Sequence, residues 1–171
     1  TAKEVTVAVL DKTGTITEGA PSVVETDLDP DALAAVASIE SFSNHPLAKA
    51  IAGASDVRLD VSDLEEITGE GVRGVVAGAS WFAGRPVDPS KYDEHLKLGR
   101  TVVEVTRDGA TAGYIAVEDR LREDAVEGVR RLSEMGIACV MATGDNEKTA
   151  LAVAARVGIS EVRAGVRPDG Q

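Results

Sequence analysis

The sequence predicts an α/β domain that is discontinuous along the chain, because an α+β segment of different pattern follows its first strand. An apolar, β-branched run at 5–10 opens the chain, and such a run is typical of a strand buried on both faces of a parallel sheet. From about residue 118, strand and helix patterns alternate again. Between these two pieces, short strands follow one another with tight turns.

The inserted segment begins with helices and continues with strands. Pro30 and Pro46 open two predicted helices, which end near Ile39 and Ala54, because proline suits the first turn of a helix. Short β-branched runs follow, separated by turns, and are predicted to pair in antiparallel fashion. They lie at 61–67, 72–77, 79–83, 101–106 and 112–117, with a predicted helix at 89–98.

The last part of the chain returns to the α/β pattern. Apolar residues at helical spacing predict a helix, and they are Leu121, Ala125, Val129 and Leu132. A buried strand is predicted at 137–141 and a second helix at 146–157, each helix ending before a glycine. We therefore expect residues 1–20 and 116–171 to form one domain around an inserted domain at 21–115.

Composition excludes several classes of function. The 18 Lys and Arg against 29 Asp and Glu give a net charge of −11, which would repel nucleic acid and anionic lipid. No apolar run reaches the ~18 residues that cross a bilayer, so the chain is expected to be soluble. We also expect it to be monomeric. The single Cys139 is predicted to be a core residue. The ends at Thr1 and Gln171 suggest a fragment of a longer protein.

Asp11 follows the first predicted strand directly and begins the run Asp-Lys-Thr-Gly-Thr-Ile-Thr. In open α/β sheets, ligands bind at the carboxyl ends of the strands. A carboxylate can act as a nucleophile, and the N–H groups of a glycine-containing turn can surround a phosphoryl oxygen. Lys12 could add a positive charge near the phosphate. The alternative is a solvated turn made of ordinary loop residues.

A second polar motif, Thr143-Gly144-Asp145-Asn146, follows the predicted strand at 137–141 and opens a helix. A hydroxyl and free N–H groups at a helix N-terminus suit a phosphate. The alternative is a plain N-cap, since threonine, aspartate and asparagine all cap helices.

The run from Asp11 to Thr17 resembles the phosphorylation signature of the P-type cation-transporting ATPases. The resemblance implies the Rossmann-like fold of the haloacid dehalogenase superfamily, with the two end pieces as the phosphorylation domain and the insert as the nucleotide-binding domain. It implies that Asp11 accepts the γ-phosphoryl group of ATP and, with the Thr13 carbonyl, binds Mg²⁺. It also implies that the motif at 143–145 binds the phosphoryl group, with Thr143 donating a hydrogen bond.

Asp119 and Arg122 resemble the Asp-x-x-Arg element that this family carries near the hinge between its two domains. The alternative for this short motif is a surface salt bridge, which contributes little to stability.

Within the insert, the run at 43–48 resembles the His-Pro element of the heavy-metal subfamily, with Glu40 five residues before His45. An imidazole can stack on adenine, and a carboxylate can accept its amino hydrogens. The alternative is that Asn44 caps a helix and His45 is an exposed residue of its first turn.

Three glycines of the insert, Gly69, Gly71 and Gly84, resemble positions of the subfamily's nucleotide pocket, where a missing side chain lets the backbone approach the ligand. A hairpin turn would explain the first two equally well. The better-known metal pumps have asparagine where this chain has Arg85, although a guanidinium could contact phosphate instead.

The resemblance thus implies the cytoplasmic, ATP- and Mg²⁺-binding region of a membrane-embedded heavy-metal pump, with the membrane helices, the actuator domain and the transported metal ion as partners. Copper, zinc, cadmium and cobalt all remain open. The family's charge-neutralising lysine and Gly-Asp-Gly element are not recognisable before the chain ends at 168–171. We therefore expect these 171 residues to bind nucleotide but to phosphorylate themselves poorly or not at all. Two alternatives are a soluble phosphatase of the same superfamily, which generally carries aspartate where Thr13 stands, and a non-catalytic nucleotide-binding module.

Overall fold

The computed structural model describes residues 6–165, so the predicted strand residue Val5 and the ending at 168–171 lie outside the described residues. The predicted mixed α/β class is confirmed. The helices and strands are, in chain order, β1 Thr6–Asp11, β2 Ser22–Thr26, α1 Pro30–Glu40, α2 Pro46–Ala52, β3 Val61–Ile67, β4 Gly71–Val76, β5 Ala79–Gly84, α3 Asp93–Lys97, β6 Thr101–Arg107, β7 Ala110–Glu118, α4 Ala125–Glu134, β8 Ile137–Ala142, α5 Glu147–Val157 and β9 Glu161–Arg163.

These elements form two compact units. Within the described residues, the first unit comprises 6–20, 94–101 and 119–165, and the second comprises 21–93 and 102–118. The segment 94–101 therefore packs with the first unit, although its neighbours in sequence on both sides belong to the second.

The first unit contains a parallel sheet with the strand order β1-β8-β9. Its core forms where α4 and α5 pack against the sheet, with Met141 and Ala150 fully buried and Leu10 packed against them. In the register of the sheet, Asp11 at the end of β1 lies beside Ala142 at the end of β8. The carboxyl ends of these two strands therefore meet at one edge.

The prediction that β1 is buried on both faces is wrong. Val7 and Val9 are each 50% exposed, whereas Leu10 packs against the core. Successive side chains of a strand point to opposite faces, and both helices contribute to the core on the face of Leu10. In the described part of the chain, the opposite face of β1 is left open to solvent.

The second unit contains a six-stranded sheet with the order β2-β7-β6-β5-β4-β3. The antiparallel pairing predicted for consecutive strands is confirmed for β3 with β4, β4 with β5, and β5 with β6. Helices α1 and α2 supply Val36, Ile39 and Ile51 to a core that also contains Val105 and Ile115. This apolar layer fixes the position of the loop that joins the two helices.

Several local predictions differ from the structure. The predicted helix at 89–98 is a tight turn at Pro89–Tyr92 followed by the short α3. Helix α4 begins at Ala125 rather than Leu121, because Leu121 forms a β-bridge with Thr17. Cys139 is half-buried and packs against the core of the first unit, as predicted. Between residues 6 and 165, no helix has the length and apolar character that would span a membrane.

Candidate functional site

Asp11 and Thr143 stand at the carboxyl ends of two adjacent parallel strands. Asp11 is exposed, and within residues 6–165 its carboxylate has no hydrogen-bond or ion-pair partner. Thr143 follows β8 directly, and its N–H donates a hydrogen bond to Arg163 O at 3.0 Å. The first unit therefore presents a free carboxylate at the sheet edge where ligands of open α/β sheets bind.

The turn after Asp11 is irregular and closes on itself. Thr13 is extended, and Gly14 has a φ of +83°, a left-handed conformation that glycine adopts without strain. Thr17 N–H donates to Lys12 O at 2.9 Å, and Gly14 N–H donates to Thr17 Oγ1 at 3.4 Å. The hydroxyls of Thr13 and Thr15 belong to exposed residues of this turn.

The side chain of Lys12 lies inside the first unit rather than in solvent. The residue is 5% exposed, and its Nζ is 2.5 Å from Asp145 Oδ2. A buried ammonium needs an opposite charge and good hydrogen bonding to be tolerated. The structure thus joins the two sequence motifs through an ion pair between residues 133 positions apart.

The N-cap alternative for the motif at 143–146 applies to one residue only. Asn146 caps α5, since its side chain accepts a hydrogen bond from Lys148 N at 2.8 Å. Thr143 Oγ1 accepts from Asp145 N–H at 3.1 Å instead, and Asp145 binds Lys12. Thr143 and Asp145 are therefore not used as caps.

Asp119 secures the end of the turn that follows Asp11. Its Oδ2 accepts a hydrogen bond from the Thr17 hydroxyl at 2.5 Å, and its Oδ1 accepts from Gly19 N–H at 3.1 Å. Arg122 pairs with Asp124 at 3.2 Å, and both side chains are well exposed. Of the two residues in this element, Arg122 fits the surface salt bridge, while Asp119 shapes the candidate site.

Thr101 is a site residue that the sequence reasoning missed. Its hydroxyl donates to Asp145 Oδ1 at 3.1 Å. In the sequence, Thr101 is an ordinary β-branched residue at the start of a predicted strand, so no local pattern distinguishes it. Its contact depends on the packing of 94–101 with the first unit.

In the second unit, Gly71 and Gly84 face each other across β4 and β5. A Cβ on Gly71 would lie 2.6 Å from Gly84 Cα, and one on Gly84 would lie 2.7 Å from the Phe82 ring and collide with Glu70 O. Gly69 has a φ of +76° in the turn that joins β3 to β4. The close packing of these strands therefore requires glycine at both facing positions, with or without a ligand.

Glu40 is a buried carboxyl group at the end of α1. It is 8% exposed, and its side chain has no hydrogen-bond or ion-pair partner in the described part of the chain. Burial, with a smaller contribution from the Glu66 carboxylate, raises the pKa of Glu40 to about 7. Glu66 lies opposite Val72 in the sheet, next to Gly71. The predicted residues Glu40 and Gly71 therefore share one neighbourhood.

His45 is exposed and occupies the N-cap position of α2, without a side-chain cap bond. Its N–H donates to Ser43 Oγ at 3.2 Å. The alternative in which Asn44 caps this helix is wrong, because the helix begins at Pro46 and Asn44 lies one residue before the cap. Within residues 6–165, the imidazole has no hydrogen-bond partner and is available to a ligand.

Comparison with known proteins gives a consistent result. Residues 5–170 match the family of haloacid dehalogenase-like hydrolases. A copper-transporting P-type ATPase of Rhizobium leguminosarum bv. viciae is 38% identical over 95% of this chain and 22% of its own length. A zinc-transporting ATPase of Bacillus subtilis is 35% identical over 93% of this chain and 28% of its own length. The chain thus spans about a quarter of these curated relatives.

Among solved structures, the catalytic domain of the CPx-ATPase CopB-B, described for its conformational changes upon nucleotide binding, matches with a TM-score of 0.82 and 26% identity. That match covers 98% of this chain and 64% of the other. With the geometry above, these findings show that the chain belongs to the haloacid dehalogenase-like hydrolase family and is homologous to the nucleotide-binding and phosphorylation region of heavy-metal P-type ATPases.

Proposed function

We propose that this chain binds ATP with its second unit and accepts the γ-phosphoryl group on Asp11, as part of a pump that moves a heavy-metal ion across a membrane. The observation that carries the proposal is the free, exposed carboxylate of Asp11 at the end of β1, in register with the end of β8, where Thr143 follows. An unpaired carboxylate at this edge is open to attack an electrophilic phosphorus.

In the proposed reaction, Asp11 attacks the γ-phosphorus and an acyl phosphate forms as the bond to ADP breaks. The Thr143 hydroxyl and the N–H groups of Gly144 and the turn after Asp11 would bind the phosphoryl oxygens, because oriented donors stabilise charge that develops there. Lys12 is the next residue in the chain after the acceptor, and its ammonium is paired with Asp145 at 2.5 Å; we propose that it adds positive charge near the phosphoryl group. Phosphoryl transfer relies on such positioning and neutralisation.

Mg²⁺ fits the donors present at this edge. Asp11 offers an unpaired carboxylate and Thr13 is an exposed residue, and Mg²⁺ is bound in phosphoryl-transfer sites by one or two carboxylates with waters and substrate phosphates. Asp11 and the Thr13 carbonyl would hold the ion, which would neutralise charge on the transferred group. Between residues 6 and 165, no group of three or more His, Cys, Asp or Glu residues could hold a metal by itself.

For the nucleotide, we propose that the adenine ring lies on His45 and meets Glu40, with the backbone at Gly69, Gly71 and Gly84 beside it. The exposed imidazole and the unpartnered carboxyl of Glu40 support this. Arg85, whose N–H donates to Glu70 O at 2.9 Å, follows the glycine pair directly, and we propose that its guanidinium contacts a phosphate.

The remainder of such a pump would include membrane helices, an actuator domain and the transported ion. The names of the relatives include both copper and zinc, so a soft or borderline transition-metal ion is the proposed cargo. We propose that both units of this chain face the cytoplasm, where ATP is available.

The test is to label the full-length protein with ATP carrying ³²P at the γ position and to characterise the bond. We expect an acid-stable label that hydroxylamine removes, that Asp11→Asn abolishes, and that Asp56→Asn, an exposed loop substitution in the second unit, leaves intact. A label that survives Asp11→Asn would refute the assignment of the acceptor. Rapid turnover of small phosphate esters would instead favour the phosphatase.

A further inference from the structure

Residues 94–101 form a strap that packs with the first unit. Two side chains of α5 hold its main chain. Thr149 Oγ1 donates to Arg100 O at 2.8 Å, and Arg156 Nη2 donates to Leu98 O at 2.7 Å. Thr149 is fully buried, so its hydrogen bond does not compete with bulk water. The strap is therefore fixed to the helix that the motif at 143–146 opens.

Thr101 ends the strap and reaches Asp145. Its hydroxyl donates to Asp145 Oδ1 at 3.1 Å, while Asp145 Oδ2 lies 2.5 Å from Lys12 Nζ. The two oxygens of one carboxylate are thus held by two different residues. A rotation of that carboxylate would break both contacts, and the Lys12 side chain, at 6% exposure, has little water to replace the lost one.

We infer that Thr101 is a positioning residue of the phosphorylation site, acting on Lys12 through Asp145. The inference rests on the proposed function, in which Lys12, the next residue in the chain after Asp11, adds positive charge near the phosphoryl group. Because the Thr101 hydroxyl holds Asp145 Oδ1, Asp145 Oδ2 stays directed at the Lys12 ammonium. Thr101 is the last residue of the strap, and the residue that follows it belongs to the second unit.

If Thr101 had a purely structural role, its loss would change only the stability of the protein. The test therefore measures how fast the protons of the Lys12 ammonium exchange with water. In this chain labelled with ¹⁵N-lysine, the Lys12 ammonium should give a correlation signal protected from exchange with water, assigned by its loss in Lys12→Arg. Thr101→Val removes the hydroxyl at nearly constant volume and should speed that exchange about tenfold, whereas Thr101→Ser should preserve the protection. Thr106→Val, on the same strand, is the matched control and should leave the signal unchanged.

The second measurement is the rate of a single phosphorylation turnover in the full-length protein. Thr101→Val should slow labelling of Asp11 about tenfold at saturating ATP, with the half-saturating ATP concentration unchanged, because a misplaced catalytic group mainly affects the chemical step. In an Asp145→Asn background, Thr101→Val should have no further effect, since the two residues act in series.

Unchanged Lys12 exchange and labelling in a folded Thr101→Val protein would overturn the inference, as would an additive effect in the Asp145→Asn background. If Thr101→Val does not fold, the exchange of the Thr101 hydroxyl proton with water is measured in the wild-type protein instead. A proton that exchanges as fast as the hydroxyl proton of Thr106 would overturn the inference. If the wild-type protein is never labelled on Asp11, the proposed function fails. The exchange measurements still decide whether Thr101 positions Lys12.

Discussion

The Thr17 hydroxyl donates a 2.5 Å hydrogen bond to Asp119, which lies 102 positions further along the chain. Through this contact and the one from Gly19 N–H at 3.1 Å, the segment that re-enters the first unit closes the turn that begins at Asp11. The shape of the proposed phosphoryl-binding turn therefore depends on a carboxylate outside the signature that follows Asp11.

Asp119→Ala should destabilise the first unit by about 1–3 kcal/mol, because Gly19 N–H loses its acceptor and the Thr17 hydroxyl keeps only the longer contact with Lys12 O at 3.1 Å. The measurement is the free energy of unfolding in urea. Asp124→Ala, which removes only an exposed pair with Arg122, is the control and should cost less than about 1 kcal/mol. Equal losses in the two variants would contradict the anchoring role of Asp119.

Gly84→Ala should destabilise the second unit by about 1–3 kcal/mol or more, since the new methyl group collides with Glu70 O and the Phe82 ring. Gly78→Ala is a matched control, because Gly78 lies in the turn just before β5 and has open space around it. Gly78→Ala should cost only about 1 kcal/mol, which is the backbone strain of an alanine at the φ of +79° that Gly78 adopts. Thermal unfolding of both variants, with and without ATP, checks the prediction.

The stability of the second unit should decrease between about pH 4.5 and pH 7 because of Glu40. Burial raises the pKa of Glu40 from 4.5 to about 7 in the folded state. Below the unfolded pKa, the group is protonated in both states and imposes no penalty. Between the two pKa values, Glu40 is ionised in the unfolded chain but still protonated in the folded one, so the free energy of unfolding falls. Above the folded pKa, this loss of stability is complete at on the order of 3 kcal/mol.

Glu40→Gln should remove this pH dependence and raise the free energy of unfolding at pH 8, measured in urea across the pH range. Glu65→Gln is the control, because Glu65 is an exposed glutamate whose Oε2 lies 3.7 Å from Arg73 Nη1 in a surface ion pair. A slope that persists in Glu40→Gln would show that another group carries the titration.

His45→Ala should weaken ATP binding by about 1–2 kcal/mol, as expected for a lost stacking contact with a base. The affinity can be measured by titration calorimetry of the chain. The other histidine, His95, belongs to the first unit, where its Nδ1 lies 3.1 Å from Arg100 Nη1. Because the proposed nucleotide pocket is in the second unit, His95→Ala serves as the control for loss of an imidazole. An unchanged affinity in His45→Ala would remove this residue from the proposed pocket.

Local patterns predicted most of the elements because those elements carry their own signals. Pro30 and Pro46 open α1 and α2 as expected, and the strand predicted at 61–67 has the observed bounds. Strands β2 and β9 were not predicted. Strand β2 has only two apolar residues, and β9, with three residues, is defined only by its pairing with β8. The exposure of Val7 and Val9 depends on which face the helices cover, which a β-branched run cannot indicate.

In the candidate site, too, local patterns predict some residues, while others are placed only by packing. Asp11 and Thr143 could be predicted at neighbouring strand ends, because each follows an apolar run directly and parallel strands end at one edge of a sheet. Asp119 and Thr101 could not be assigned to this site, since their contacts join residues 102 and 44 positions apart. Such contacts are set by packing, and the residues themselves are common at strand ends.

The buried pair of Lys12 and Asp145 gives the last prediction. Asp145→Ala should cost about 3–5 kcal/mol, because it leaves an ammonium at 6% side-chain exposure without its counter-charge. Replacing both residues, Lys12→Met with Asp145→Leu, should recover most of that loss, since apolar side chains of similar volume need no partner. Urea unfolding at pH 7 compares the two proteins, and Arg122→Ala, which breaks a surface pair, is the control. If the double variant is no more stable than Asp145→Ala, the penalty does not come from an unpaired charge, and the loss of the Thr101 hydrogen bond to Asp145 becomes the better explanation.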